Sequence, residues 1–185
     1  MLVVAATEFE LAFVEGAAAA GHETLVCGTG PVEAAAKTAR LIAAARPGAI
    51  LQVGIAGARS LEPGSVVIGE ESVYCDLVDG TRSFPRIVRA APDPRLLETA
   101  RATLPQAHVL PIATSARVGG GEPCADVEAM EGFGVLLAAV EAGVPALELR
   151  AVSNLFSSQR SEWRIDAAIA ALADAVLALL EALDA

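Results

Sequence analysis

Two glutamates and an asparagine are the residues of this chain best placed to do chemistry. Glu10 lies in TEFE, just past the first apolar run. Glu131 stands between Met130 and Gly132 in MEG, and Asn154 follows Ser153 at the polar end of PALELRAVSN. A carboxylate can orient and deprotonate a water molecule and can stabilise positive charge developing on a substrate. A side-chain amide presents a donor and an acceptor in fixed places. Against these readings, most carboxylates of an acidic chain are solvated surface, and nothing lifts Glu8 or Glu128 above that. For Ser153 and Asn154 the plainer reading is a strand end closed by an Asx turn.

Two glycine segments could approach a ligand closely. GIAGA (54–58) follows an apolar run, so Gly54, Ala56 and Gly57 are candidate substrate contacts, because a missing side chain lets a ligand reach the backbone. GTG (28–30) precedes a helix and could cradle an anion at the helix N-terminus. It is not GxGxxG, and a tight strand-to-helix turn explains it equally well.

The elements that must position these groups alternate. LVVAA (2–6) reads as a strand. Thr7 then caps a helix with Glu10 at the capping-box position, expected to run to about Ala20. A strand over 23–27, a helix from about Val32 to Ala45 with Pro31 in its first turn, and a buried-type strand at 49–53 follow. A long strand over 66–78 bends at Gly69, and residues 79–92 read as a loop. A helix near 93–103, a strand near 107–112, a glycine-rich loop at 119–124, a helix over 127–142, a strand over 145–154 and a last helix from about Glu162 complete the chain. Alternating strands and helices predict a three-layer α/β/α fold with a mixed, mostly parallel sheet, in one domain over 1–185. Ligands of such sheets bind at the carboxyl ends of the strands, where Thr7–Glu10, 54–58 and Ser153–Asn154 fall.

Composition narrows the partners. A net charge of −10 repels phosphate backbones and anionic lipid, which excludes nucleic-acid and membrane-surface binding. The cysteines, Cys27, Cys75 and Cys124, are odd in number and widely spaced, which argues against a disulfide framework and for a reducing compartment. His22 and His108 stand far apart without a CxxC or HExxH motif. No metal site and no cofactor are expected. The first ten residues lack the basic and long apolar regions of a signal peptide, so a cytoplasmic location is expected. Charges at Asp166, Asp174, Glu181 and Asp184 make the greasy C-terminal stretch a packed amphipathic helix.

AATEFELAFV, QVGIAGARSLEPGSVVIGEESVYCDL, VEAMEG and VPALELRAVSN, in that order, resemble the nucleoside phosphorylase and nucleosidase superfamily. The tail SNLFSSQRSEWRIDAAI is similar to the futalosine hydrolase subgroup; methylthioadenosine/S-adenosylhomocysteine nucleosidases share the core motifs. The resemblance implies that Glu10 activates water, that Met130 packs on a ribose, and that Glu131 binds its 2′- and 3′-hydroxyls. It places Asn154 where adenosine-type nucleosidases use an aspartate to protonate the purine N7. Asparagine cannot supply that proton, so a 6-oxopurine is expected, as in futalosine, which releases hypoxanthine. Gln52 stands where phosphorylases carry a phosphate-binding arginine, and Glu8 and Glu10 would repel phosphate. Arg59 weighs a little the other way. The resemblance thus implies hydrolysis of an N-glycosidic bond in menaquinone biosynthesis, with a small nucleoside as the partner and at least a homodimer as the assembly. A methylthioadenosine/S-adenosylhomocysteine-type nucleosidase, a purine nucleoside phosphorylase and a non-catalytic nucleoside-binding protein are the alternatives. The superfamily's base-stacking aromatic is missing before MEG, which leaves Phe133, Phe156 or Trp163 as substitutes.

Overall fold

The computed structural model describes residues 1–14, 21–77, 87–118 and 124–185. An eight-stranded mixed sheet runs through them. Its strands are β1 (Leu2–Ala5), β2 (Glu23–Val26), β3 (Ile50–Ala58), β4 (Val66–Tyr74), β5 (Arg89–Ala90), β6 (His108–Thr114), β7 (Val127–Ala129) and β8 (Ala146–Leu155). The helices are α1 (Glu8–Ala12), α2 (Pro31–Ala45), α3 (Pro94–Thr103), α4 (Gly132–Ala142) and α5 (Ile165–Asp184). The order β2-β1-β3-β7-β6-β4-β5 is closed on itself by β8, which pairs with β3 in parallel and with β4 antiparallel. Strands β3, β8, β4, β6 and β7 therefore form a ring.

Strand periodicity decides which layer each residue faces. Val3 and Ala5 of β1, Leu51 and Val53 of β3, and Leu147, Leu149 and Ala151 of β8 pack against α3 and α5. The alternate residues Leu2, Val4, Ile50 and Ala146 pack against α2 and α4. Glu148 and Arg150 stand in line with Ala146, so this strand sends two charges towards the α2–α4 side. Ala56, Ala58, Val67, Ile112, Val127, Ala129 and Val152 make a third cluster that joins the strands of the ring.

The three-layer α/β/α arrangement expected from the sequence is present; several boundaries differ. The first helix ends at Ala12, because the chain turns there to bury Val14 in the core beneath α5; the rest of its expected length falls at 15–20, outside the described residues. GIAGA is not a loop but the second half of β3. Residues 127–129 are strand rather than helix: Val127 and Ala129 alternate inward with Glu128, and they pair with β6 and β3. The final helix starts at Ile165, preceded by a 3-10 turn at Arg160–Glu162. The bend at Gly69 is present, as a register shift in the β4–β6 pairing. Parts of the expected loops, 79–86 and 119–123, lie outside the described residues. The cysteine expectation fails: Cys75 and Cys124 form a disulfide with their Cα atoms 6.1 Å apart. Forty-nine residues separate them in sequence, but the β4 end and the segment before β7 are brought together by strands that both pair with β6. Cys27 is buried and free.

Candidate active site

Glu10 owes its position to a capping box. Thr7 is the N-cap of α1; its hydroxyl accepts from the Glu10 amide (3.2 Å), while Glu10 Oε2 accepts from the Thr7 amide (3.2 Å) and hydroxyl (3.0 Å). The other oxygen, Oε1, accepts from the Ile55 amide of β3 at 3.2 Å. The carboxylate is thus fixed over the middle of β3, and the residue is only 6% exposed.

Glu131 arrives from the other side of the sheet. It is the N-cap residue of α4, but its side chain caps nothing in its own helix. Instead Oε1 accepts from the Gly30 amide at 3.1 Å, and Oε2 lies 3.5 Å from both Nη atoms of Arg150. The GTG turn therefore serves the site with its backbone, not as an anion cradle. Burial pushes the Glu131 carboxyl above its ordinary range; the Glu10 and Glu148 charges push the same way, and Arg150 and the Gly30 amide pull partly back. Cys27 is close enough for burial, and next the Glu131 charge, to push its thiol up to about 12. It stays neutral.

Arg150 is the centre of the cluster, and the candidate residues read from the sequence did not include it. It is 1% exposed. Its Nε donates to Glu148 Oε1 at 2.9 Å, and the Gln52 amide, with its nitrogen turned to the Val4 carbonyl (3.3 Å), offers its oxygen to Nη2 at 3.2 Å. Burial works against its charge, but Glu148, Glu131 and Glu10 together outweigh it and raise its pKa further. Glu148 is fully buried and also accepts from the Ser72 hydroxyl of β4. The missed signal was ALELRAV itself. A glutamate and an arginine two apart on a buried strand occupy one face, and buried charges persist only when paired.

Gly54 is needed for a reason other than the one expected. A Cβ there would collide with Arg150 Nη1 and come within 2.8 Å of Glu10 Oε1. The glycine admits two protein side chains to the same spot over β3, rather than a ligand to the backbone. Gly57 likewise leaves space for Asn154 Nδ2 and the Phe156 ring, each 3.2 Å from a Cβ placed there. Ala56 is buried, and its carbonyl lies 3.2 Å from Ser153 Oγ.

Ser153 and Asn154 lie at an irregularity. The β3–β8 register shifts between Ala56 and Gly57, which leaves Ser153 unpaired in that ladder, and such bulges re-aim side chains. Ser153 Oγ is 2.8 Å from Asn154 Oδ1, and Asn154 Nδ2 donates to the Leu155 carbonyl at 3.1 Å. The amide is oriented with its nitrogen as the remaining donor. Met130 is half-buried in the bend before Glu131. Of the three aromatics, Phe133 is buried and stacks on Tyr74 (centroids 5.2 Å apart), while Trp163 lies under Arg160 at 5.1 Å. Phe156 is placed beside Asn154, both reaching the space over Gly57. Arg59 pairs with Asp126 at the surface, 3.1 Å away.

Carboxylates on two sides of one buried arginine over the middle of β3, with the amide of Asn154 at Gly57 further along the same strand, agree with the sequence comparison. The chain belongs to the phosphorylase superfamily, whose family model matches residues 10–183. It is 37% identical to the futalosine hydrolase of Streptomyces coelicolor, over 84% of this chain and 77% of that protein. The fold is shared with the native futalosine hydrolase of Helicobacter pylori (TM-score 0.87, 15% identity, covering 97% of this chain and 96% of the other). It is shared also with a methylthioadenosine/S-adenosylhomocysteine nucleosidase of Streptococcus pneumoniae in complex with 8-aminoadenine (TM-score 0.85, 22% identity, covering 98% of each chain).

Proposed function

We propose that this protein is a single-domain N-ribosyl hydrolase that cleaves a 6-oxopurine nucleoside, with futalosine as substrate and hypoxanthine as the released base. The observation that carries the reading is Glu10: a buried carboxylate held by two backbone amides, beside Glu131 and Arg150. Glu10 takes a proton from water as the water oxygen bonds to C1′ and the C1′–N9 bond breaks, its electron pair leaving with the base. Glu131 has acceptor capacity beyond the Gly30 amide and binds the ribose 2′- and 3′-hydroxyls. Positive charge on the ribose is stabilised by the two carboxylates.

Asn154 faces the base. Its Oδ1 is taken by Ser153, so Nδ2 donates to N7 or to a 6-oxo group, and Phe156 flanks the base. An adenosine-type substrate would call for an acid at this position, which the chain lacks. A phosphorylase would need a cation free to bind phosphate, whereas Arg150 is enclosed by carboxylates and Arg59 is engaged with Asp126.

The likeness to a futalosine hydrolase supports menaquinone biosynthesis as the pathway and the cytoplasm as its compartment. Among the described residues no helix is long and apolar enough to cross a membrane. A homodimer joined through the exposed Phe9 of α1 and Phe13 just after it, which pack edge to face, completes the assembly. Incubation with futalosine, inosine and methylthioadenosine, with and without phosphate, tests the function. Hypoxanthine from futalosine with a free sugar as co-product is expected; a sugar 1-phosphate overturns the reading.

A further inference from the structure

Glu148 has no route to a substrate. It is fully buried, one oxygen is bound by Arg150 Nε and the other by Ser72 Oγ, and Gly132 exists to admit it: a Cβ there would collide with the Glu148 carboxylate. The glycine of MEG, at the start of α4 and next to the ribose-binding candidate Glu131, thus makes room for a residue of β8.

Two features show what Glu148 does. Its bond to Arg150 is short, 2.9 Å, whereas Glu131 stands 3.5 Å from the two Nη atoms. The guanidinium is therefore oriented from its Nε edge, and the Nη edge is turned to Glu131 and to Glu10 over Gly54. The charges around it are Glu10 from α1, Glu131 from the start of α4 and Glu148 from β8, three carboxylates to one guanidinium. An arginine whose Nη edge is held only by the longer contacts to Glu131 (3.5 Å) and to the Gln52 oxygen (3.2 Å) can exchange them for an oxyanion. With Glu148 paired to it, the charge of Arg150 is cancelled locally and the carboxylates of Glu10 and Glu131 set the sign of the cleft.

We propose that Glu148 is a positioning and specificity-determining residue: it aims Arg150 at the reacting carboxylates and neutralises it, so that the cleft admits water and rejects phosphate as the nucleophile. The proposal rests on the hydrolase reading above. The wild-type enzyme is assayed first. Failure to release base from any purine nucleoside, or formation of a sugar 1-phosphate, ends that reading itself. Given hydrolysis, Glu148→Gln keeps the shape and an acceptor for Nε but removes the charge.

Expected are a fall in kcat of about tenfold or more, as for loss of a charge-assisted hydrogen bond, with KM for the nucleoside nearly unchanged. Inorganic phosphate, without effect on the wild type, should inhibit the variant competitively. Ser72→Ala, which removes only the second anchor of Glu148, should give the same pattern in weaker form, and it serves if Glu148→Gln fails to fold. A variant that loses activity yet remains as indifferent to phosphate as the wild type overturns the proposal, as does unchanged kcat in Glu148→Gln.

Discussion

At the Glu10 end of the site, beyond the local Thr7–Glu10 and Glu148–Arg150 bonds, each carboxylate is also held by a group distant in sequence. Gly30 and Glu131 are 101 residues apart, Ser72 and Glu148 76, Ile55 and Glu10 45. At the Asn154 end the bonds are mostly between neighbours: Ser153 to Asn154, and Asn154 to Leu155. The first end cannot change one residue without disturbing three elements. The second can change a side chain and leave the fold alone. This division suits an enzyme whose bond-breaking chemistry is constant and whose base preference is adjustable.

The largest effect expected from this difference is at Glu10. Glu10→Gln should lower kcat by roughly 10²–10⁴-fold, the range for removal of a general base, and should still bind substrate. Near-normal turnover would remove Glu10 from the chemistry and break the contrast at its stronger end. Glu131→Ala should lower kcat/KM by about 10- to 150-fold, from the loss of hydrogen bonds to a charged acceptor. A 2′-deoxynucleoside should suffer less from that change than the ribo form, and equal losses would show that Glu131 does not hold the ribose.

Asn154 should act on preference rather than rate. Wild-type kcat/KM should favour 6-oxo over 6-amino nucleosides by roughly 5- to 150-fold, the worth of one mismatched buried hydrogen bond. Asn154→Asp should move that ratio towards the 6-amino substrate, because a carboxyl can protonate N7 and accept from the amine. A ratio that stays put reduces Asn154 to a strand-end residue. The smallest effect is on stability. Burial raises the Glu131 carboxyl in the folded state above its ordinary value of 4.5, so the folded protein binds this proton more tightly than the unfolded chain. The stabilisation is complete below about pH 4.5 and is lost as pH rises through the folded pKa. The unfolding free energy of Glu131→Gln relative to wild type should therefore increase between pH 5 and pH 8 in urea titrations, and a constant difference would contradict the raised value.

The fold was legible because its signals are local. Thr7 and Glu10 form the capping box their spacing predicted, Pro31 opens α2, and Asp93 caps α3 with bonds to the Arg95 and Leu96 amides. Residues 127–129 were misread because three residues are too few to separate a strand from the first turn of a helix, and partners on β6 and β3 decided the matter. The same limit hid half the site. That Gly30 lends its amide to Glu131, that Gln52 turns to Arg150, and that Gly54 and Gly132 make room for side chains from other elements are all facts about distant pairs. Cys75 and Cys124 meet for the same reason. Glu148 and Arg150 were the exception: two opposite charges inside a run of buried aliphatics needed no contact map to look unusual.

The ring of strands also bears on how the protein is made. Its closure needs Ile50 beside Ala146 and Gly57 beside Glu128, pairings between segments that leave the ribosome far apart in time. Loop-closure entropy must be met before such contacts contribute, so folding should be slow for a chain of this size. Until β8 emerges, β3 has an open edge rich in aliphatic residues, a species prone to stick to its own kind. The cluster around Arg150 cannot form early, since Arg150 and Glu148 belong to that last strand. Activity during synthesis or refolding should thus appear late and all at once, together with the closing of the ring.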